Sequence, residues 1–199
     1  MRTYDERLEH FLAAAAQVFA ARGYHSTTMR ALARATGMSL AGMYYYVRGK
    51  EELLCRIQER CFARVLEGAT RALAAPGSDD PLERLHAFIR HHVTFFAAHM
   101  AEMKVLSHEA NSLTGERLRK VSAIKRRYVD RLERLLKDVA PEEAAVERSA
   151  ATYALFGMMN WIYNWYDPAG EIDPERLAAL IARIFLGGFA EARTTVHGG

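Results

Sequence analysis

Thr27-Thr28-Met29-Arg30-Ala31-Leu32-Ala33-Arg34-Ala35-Thr36-Gly37-Met38-Ser39-Leu40-Ala41-Gly42-Met43-Tyr44-Tyr45-Tyr46-Val47-Arg48-Gly49-Lys50 decides the reading of this chain. Ser26-Thr27-Thr28 offers hydroxyls to cap a helix start, and Met29, Leu32 and Ala33 recur at helical spacing behind it. Gly37 stops that short helix, and Ser39 caps another that runs to about Tyr46. Two short helices around a tight glycine turn make a helix-turn-helix, in which the first helix props the second across the major groove. In the second helix Met43 and Val47 lie four apart and are expected to face the core. That leaves Tyr44-Tyr45-Tyr46 as a bulky aromatic run on an outer face. Tyrosine hydroxyls donate to phosphates, and the rings pack on sugars or thymine methyls. Gly42 costs about 1 kcal/mol against alanine in a helix, and its small size lets the backbone approach DNA.

Charge supports the same end of the molecule. Residues 1–50 carry seven basic and three acidic side chains, a net +4. The rest of the chain therefore carries −1 of the total +3. A polyanionic partner for the first quarter is the natural expectation. Upstream, Leu8, Phe11, Leu12, Ala15, Val18 and Phe19 form an amphipathic helix that Gly23 ends. Downstream, Lys50-Glu51-Glu52 opens a long helix to about residue 75, its acids suited to the positive end of the helix dipole.

The remainder reads as helical throughout, and the fold class expected is all-α with about nine helices. A loop is expected over 76–81, then helices over 82–99, 101–110 and 116–139, with a turn at 111–115. A helix over 142–166 is apolar in its second half, a loop covers 167–170, a last helix runs over 174–193, and 194–199 is a frayed tail. The domains expected are 1–50, a three-helix DNA-binding head, and 51–199, a larger helical body. No apolar run approaches the roughly 20 residues that span a bilayer, and the N-terminus has no signal-peptide core; the expectation is a cytoplasmic, nucleoid-associated protein.

Gly23-Tyr24-His25-Ser26-Thr27-Thr28, Leu32-Ala33, Thr36-Gly37-Met38-Ser39, Tyr44-Tyr45-Tyr46-Val47 and Lys50-Glu51-Glu52-Leu53 follow one another in the order and spacing of a known signature. This stretch, from Arg7 to Leu53, resembles the N-terminal region of TetR-family transcriptional regulators. Leu40 stands where many members carry a polar or basic residue, Val47 replaces a frequent phenylalanine, and Arg48 a frequent proline. Carried over residue by residue, the resemblance implies phosphate contacts from Thr27, Thr28, Tyr44, Tyr46 and Lys50. It implies base-edge or mixed contacts from Ser39, Leu40, Ala41, Gly42 and Tyr45. It further implies a homodimer paired through 142–166 and 174–193. Such a dimer places two recognition helices about 34 Å apart or a little more, on a palindromic double-stranded operator.

The body resembles the effector-binding and dimerising part of the same family. Phe95, Phe96, Met100 and Met103 come from one region, and Met158, Asn160, Trp161 and Trp165 from another. Met and aromatic side chains line adaptable pockets, and they equally fill ordinary cores. Trp161 and Trp165 are expected on one helix face, as are Asn160 and Asn164. Asn160 in so apolar a setting needs a hydrogen-bond partner, either a ligand or a second helix. The regions around Phe95–Glu109 and Gly157–Pro168 resemble TetR-type regulators of fatty-acid and related acyl-CoA breakdown. A CoA thioester needs an apolar channel and cations for its phosphates, and Arg127, Arg117, Lys120 and their neighbours are candidates. A solvated helix face is the other reading of those cations.

Other chemistries find little footing. Cys55 and Cys61 sit six apart in one helix and read as buried thiols. His91, His92, His99 and His108 lack a tight ligand spacing, so no metal and no cofactor are expected. There is no glycine-rich phosphate loop, nucleophile elbow or H-E-x-x-H, so an enzyme is not expected. The expected function is a dimeric repressor released from DNA by a small hydrophobic effector, an acyl-CoA being suspected. The alternatives are the same repressor answering an unrelated hydrophobic compound, and a helical ligand-binding or scaffold protein without DNA activity.

Overall fold

The computed structural model describes residues 3–74 and 79–195. Its described residues form nine α-helices and one 3₁₀ turn, with no strand among them. The helices are α1 (Tyr4–Arg22), α2 (Met29–Thr36), α3 (Leu40–Tyr46), α4 (Lys50–Ala74) and α5 (Pro81–Ala97). They continue with α6 (Met100–His108), α7 (Gly115–Val139), α8 (Ala145–Asn160) and α9 (Pro174–Thr195), the 3₁₀ turn (Trp161–Asn164) following α8. The proposed loop at Pro76-Gly77-Ser78 and the end of the tail lie outside the described residues. Among the described residues no helix is long and apolar enough to cross a membrane.

The chain divides into two compact units, Met1–Arg64 with His99–Lys125, and Val65–Ala98 with Arg126–Gly199. The first is built on α1. Thr3 caps it by accepting from the Glu6 amide at 3.3 Å, and the Glu6 carboxylate accepts from the Thr3 amide at 2.8 Å, a reciprocal box that satisfies two orphan donors. The apolar stripe of α1, Leu8, Phe11, Leu12, Ala15 and Phe19, packs with Leu32 of α2, Met43 of α3, Leu53 and Leu54 of α4 and Val105 of α6. Thr28 caps α2, and Gly37 closes it at φ +68°, a left-handed conformation that side chains with a Cβ disfavour. The cysteines expected to be buried are so; desolvation pushes the Cys61 thiol up to about 12.

In the second unit α5 packs along α9, and α8 packs on both. Leu85, Phe88, Ile89 and Val93 of α5 are buried there, as are Leu155 and Met159 of α8 and Leu177 and Ile181 of α9. Asp80 caps α5, and Pro81 occupies its first turn, where no amide donor is needed.

Two expected helix boundaries are corrected. The helix placed at 142–166 begins at Ala145, because residues 141–143 form a turn in which the Glu143 amide donates to the Ala140 carbonyl at 3.2 Å. It ends at Asn160, where the chain tightens into the 3₁₀ turn. That tightening buries Ile162 and Tyr166, the Tyr166 hydroxyl donating to the Ile172 carbonyl at 3.0 Å. Trp161 and Trp165 therefore do not share a helix face; both point outward, 61% and 56% exposed.

Candidate DNA-recognition surface and effector region

The second helix of the helix-turn-helix, α3, is seven residues long, too short to be stable alone, so caps and packing hold it. Ser39 caps it, its Oγ accepting from the Gly42 amide at 3.0 Å, and the Val47 amide donates back to the Met43 carbonyl at 3.1 Å. Met43 and Val47 are buried, as their spacing requires. The outer face presents Ser39, Ala41, Tyr44 and Tyr45 to solvent, with Leu40 and Gly42 half-buried beside them; Tyr44 is 52% and Tyr45 72% exposed. Thr28 is exposed at the start of α2, and Arg30 and Arg34 line the outer side of the same helix.

Three sequence-selected side chains serve the fold. Tyr46 is buried rather than outward, because Met43, Tyr46 and Val47 form one stripe against α1, where its ring lies 6.0 Å from that of Phe11. Thr27 is buried, its hydroxyl donating to the Gly23 carbonyl at 2.7 Å, so it ties the loop ahead of α2. Lys50 donates through Nζ to the carbonyls of Tyr24 at 2.9 Å and His25 at 3.2 Å, and sits over the Tyr24 ring.

Sequence reasoning passed over Tyr4, Arg7 and His10. With Thr3, Met38, Gly42, Tyr45 and Tyr46 they line an open groove of about 730 Å³ beside the recognition helix. The signal was present: Tyr4 extends the Leu8 and Phe11 stripe by one turn. A second groove, of about 900 Å³, runs past Tyr44, Arg48, Cys55, Arg60 and Arg117. Two of the cations proposed for CoA phosphates are paired in this unit, Arg117 with Glu51 at 3.3 Å and Lys120 with Glu59 at 2.8 Å.

His25, Glu109 and Ser112 also meet in this unit, Ser112 Oγ 3.2 Å and Glu109 Oε2 3.5 Å from the same His25 Nε2. A nucleophile and its orienting acid need opposite ring nitrogens, so this cluster is not a hydrolytic triad.

The effector candidates are distributed between the units. Met103, buried, and Met100, half-buried, belong to the first. In the second, Phe96 is buried, Phe95 and Met158 are half-buried, and Arg127, Trp161 and Trp165 are exposed. Asn160 has found its partner within the chain: its Oδ1 lies 3.1 Å from His92 Nε2, and His92 Nδ1 lies 3.0 Å from the Tyr128 hydroxyl. Because Oδ1 only accepts, Nε2 carries the proton, and the Tyr128 hydroxyl donates to Nδ1. The rings of Phe88, Phe96, Tyr128 and Phe156 surround His92, and burial lowers its pKa to about 3. Among the described residues no group of three or more His, Cys, Asp or Glu side chains is arranged to hold a metal ion.

Residues 11–57 match the family model for the bacterial regulatory proteins of the tetR family, and residues 78–189 match that for the tetracyclin repressor-like C-terminal domain. The chain belongs to the TetR family. It is thus a DNA-binding transcriptional regulator, not an enzyme. A TetR-family regulator from Bordetella parapertussis shares 26% identity, with 94% of this chain and 98% of that chain covered, at a TM-score of 0.86. AibR, solved in complex with isovaleryl coenzyme A and operator DNA, shares 28% identity over 89% of this chain and 97% of its own, at 0.78. The transcriptional activator FasR of Mycolicibacterium smegmatis is 33% identical over 85 residues, which are 43% of this chain and only 38% of FasR.

Proposed function

We propose that this TetR-family chain is a dimeric, ligand-responsive repressor of a palindromic operator, released by a small hydrophobic effector of the short-chain acyl-CoA type. DNA recognition is assigned to residues 1–50, and effector binding and pairing to 51–199. The observation that carries the reading is the exposed Ser39, Ala41, Tyr44 and Tyr45 face on a helix otherwise locked by its caps and by Met43 and Val47. The small Ser39 and Ala41 let the helix approach a groove closely, and the large, amphipathic Tyr44 and Tyr45 offer rings and hydroxyls to sugars, bases and phosphates.

Pairing through α8 and α9 is supported by their surfaces. Val146, Ala150, Tyr153, Gly157 and Trp161 recur at helical spacing along the exposed side of α8 and the turn after it. Val146 is 75% and Tyr153 63% exposed, and Ile184 of α9 is 57% exposed. An apolar stripe of this length on a pair of packed helices is what a two-fold helical interface buries.

The acyl-CoA class is supported by the likeness to AibR, whose structure holds isovaleryl coenzyme A. Release follows from differential affinity: an effector that binds the DNA-incompetent state more tightly lowers DNA affinity by that same ratio. The test is to incubate the protein with fragmented DNA of its source genome at moderate salt, sequence what is retained, and challenge the complex with CoA thioesters and the free acids. The reading requires an enriched palindrome, released by a thioester and not by its acid. Retention without sequence preference contradicts the repressor; release by neither class contradicts the effector.

A further inference from the structure

Tyr45 is the most exposed of the large apolar side chains on the recognition helix, and a ring so exposed ordinarily turns freely in water. Here it does not stand alone. Its ring meets the edge of Tyr46 at 5.2 Å and 85°, and that of Tyr4, from outside the helix-turn-helix, at 6.0 Å and 73°. Tyr4 in turn lies 5.2 Å from Tyr46, which Phe11 anchors in the core. The Thr3–Glu6 capping box fixes the backbone from which Tyr4 projects. Tyr46 alone of the three is buried; Tyr4 remains 47% exposed, too open for the cluster to be explained as core packing. Edge-on ring pairs at these separations are attractive, so the cluster restricts Tyr45 before any partner arrives.

We propose that Tyr4 is a positioning residue for DNA recognition, its ring holding Tyr45 in the orientation that meets the operator. The inference rests on the DNA-recognition reading above and adds to it a residue outside the recognition motif. Ordering an exposed side chain on binding costs affinity, and a ring already held removes that cost.

The test starts from the duplex that the wild-type chain selects out of a random-sequence library. Affinities for that duplex and for an unrelated duplex of equal length are measured by anisotropy for Tyr4→Ala, Tyr4→Phe, Tyr45→Ala and the Tyr4→Ala/Tyr45→Ala pair. Tyr4→Ala is expected to weaken binding to the selected duplex about three- to tenfold. Binding to the unrelated duplex is expected to stay unchanged, and Tyr4→Phe to retain wild-type affinity. In the Tyr45→Ala background, removing Tyr4 is expected to cost nothing further. An equal loss in that background, or on the unrelated duplex, would make Tyr4 merely structural and overturn the proposal. A Tyr4→Phe loss as large as that of Tyr4→Ala would overturn it by assigning the effect to the hydroxyl, and no loss at all would overturn it outright. If the wild-type chain selects no duplex, the DNA-recognition reading falls and takes this inference with it; if it selects one that Tyr4→Ala binds equally well, the inference alone falls.

Discussion

Lys50 Nζ donates to the main-chain carbonyl of Tyr24 at 2.9 Å and lies 4.4 Å from the centroid of the same residue's ring. The side chain therefore closes the loop ahead of α2 from the first turn of α4, 26 residues away in sequence. A charge-assisted hydrogen bond and a cation–π contact together are worth about 2 kcal/mol at a half-exposed site. Lys50→Ala is expected to lower the urea unfolding free energy by about that amount. If Lys50 also faces a phosphate when DNA is bound, the slope of log affinity against log salt flattens by about one. Unchanged stability contradicts the loop role, and an unchanged slope contradicts the phosphate role.

How far the sequence carried is visible at this site. The caps Thr28 and Ser39, the stop at Gly37 and the inward Met43 and Val47 are local features, written in spacing and residue type, and they are where they were expected. Tyr46 was grouped with its two neighbours as one aromatic run, although it stands three residues after the inward Met43 and so shares its face, where it meets the Phe11 ring. Lys50 and Thr27 were selected as surface groups because their carbonyl partners, on Tyr24, His25 and Gly23, come from backbone geometry that residue types do not specify. Trp161 and Trp165 diverge for another reason: α-helical periodicity holds only along a continuous α-helix, and the change to 3₁₀ geometry alters the phase of every later residue. The partner of Asn160 proved to be His92, 68 positions away in sequence, a pairing that no local pattern encodes.

The neighbouring tyrosines separate stability from surface. Tyr46→Ala removes a buried ring and is expected to cost about 3 kcal/mol of unfolding free energy. Tyr45→Ala is expected to cost about 1 kcal/mol, the worth of its exposed ring contacts with Tyr4 and Tyr46, while weakening DNA binding. Parallel urea melts and DNA titrations on the two variants check this, and equal destabilisation contradicts the assignment of their faces.

His92 predicts a pH dependence. Its native pKa is lowered to about 3 from 6.5, so below pH 6.5 the unfolded chain takes up a proton that the native core refuses. Its neutral form is accommodated fully above pH 6.5, and stability is lost as pH falls toward 3, by up to about 1.4 kcal/mol per pH unit. Unfolding free energies at pH 7 and pH 5 are expected to differ less in His92→Gln than in wild type. An identical difference in the two proteins would count against a buried neutral imidazole.

Gly68 of α4 is held small by a neighbour. A Cβ built there would collide with His91 Cε1, while His91 Nε2 lies 2.9 Å from the Val65 carbonyl, so the ring cannot move without losing that bond. Gly68→Ala is expected to destabilise by about 1–3 kcal/mol. In a His91→Ala background the same change is expected to stabilise by about 0.5–1 kcal/mol, as alanine does in an open helix position. Thermal melts of the four proteins test the reversal of sign, and destabilisation in both backgrounds contradicts the contact.

Pairing has its own test. Tyr153→Glu with Ile184→Glu places two charges on the exposed apolar stripe of the second unit, away from its buried core. The variant is expected to sediment as a folded monomer where wild type sediments as a dimer, and a dimer in both would move the interface elsewhere.

The decisive measurement is a titration of the genome-selected duplex with the protein, followed by anisotropy, and then challenged with isovaleryl coenzyme A. A ligand-released dimeric repressor gives salt-sensitive, sequence-dependent binding of two chains per palindrome, reversed by the thioester and not by isovalerate. Binding that ignores sequence, or a complex that the thioester leaves intact at saturating concentration, would contradict it.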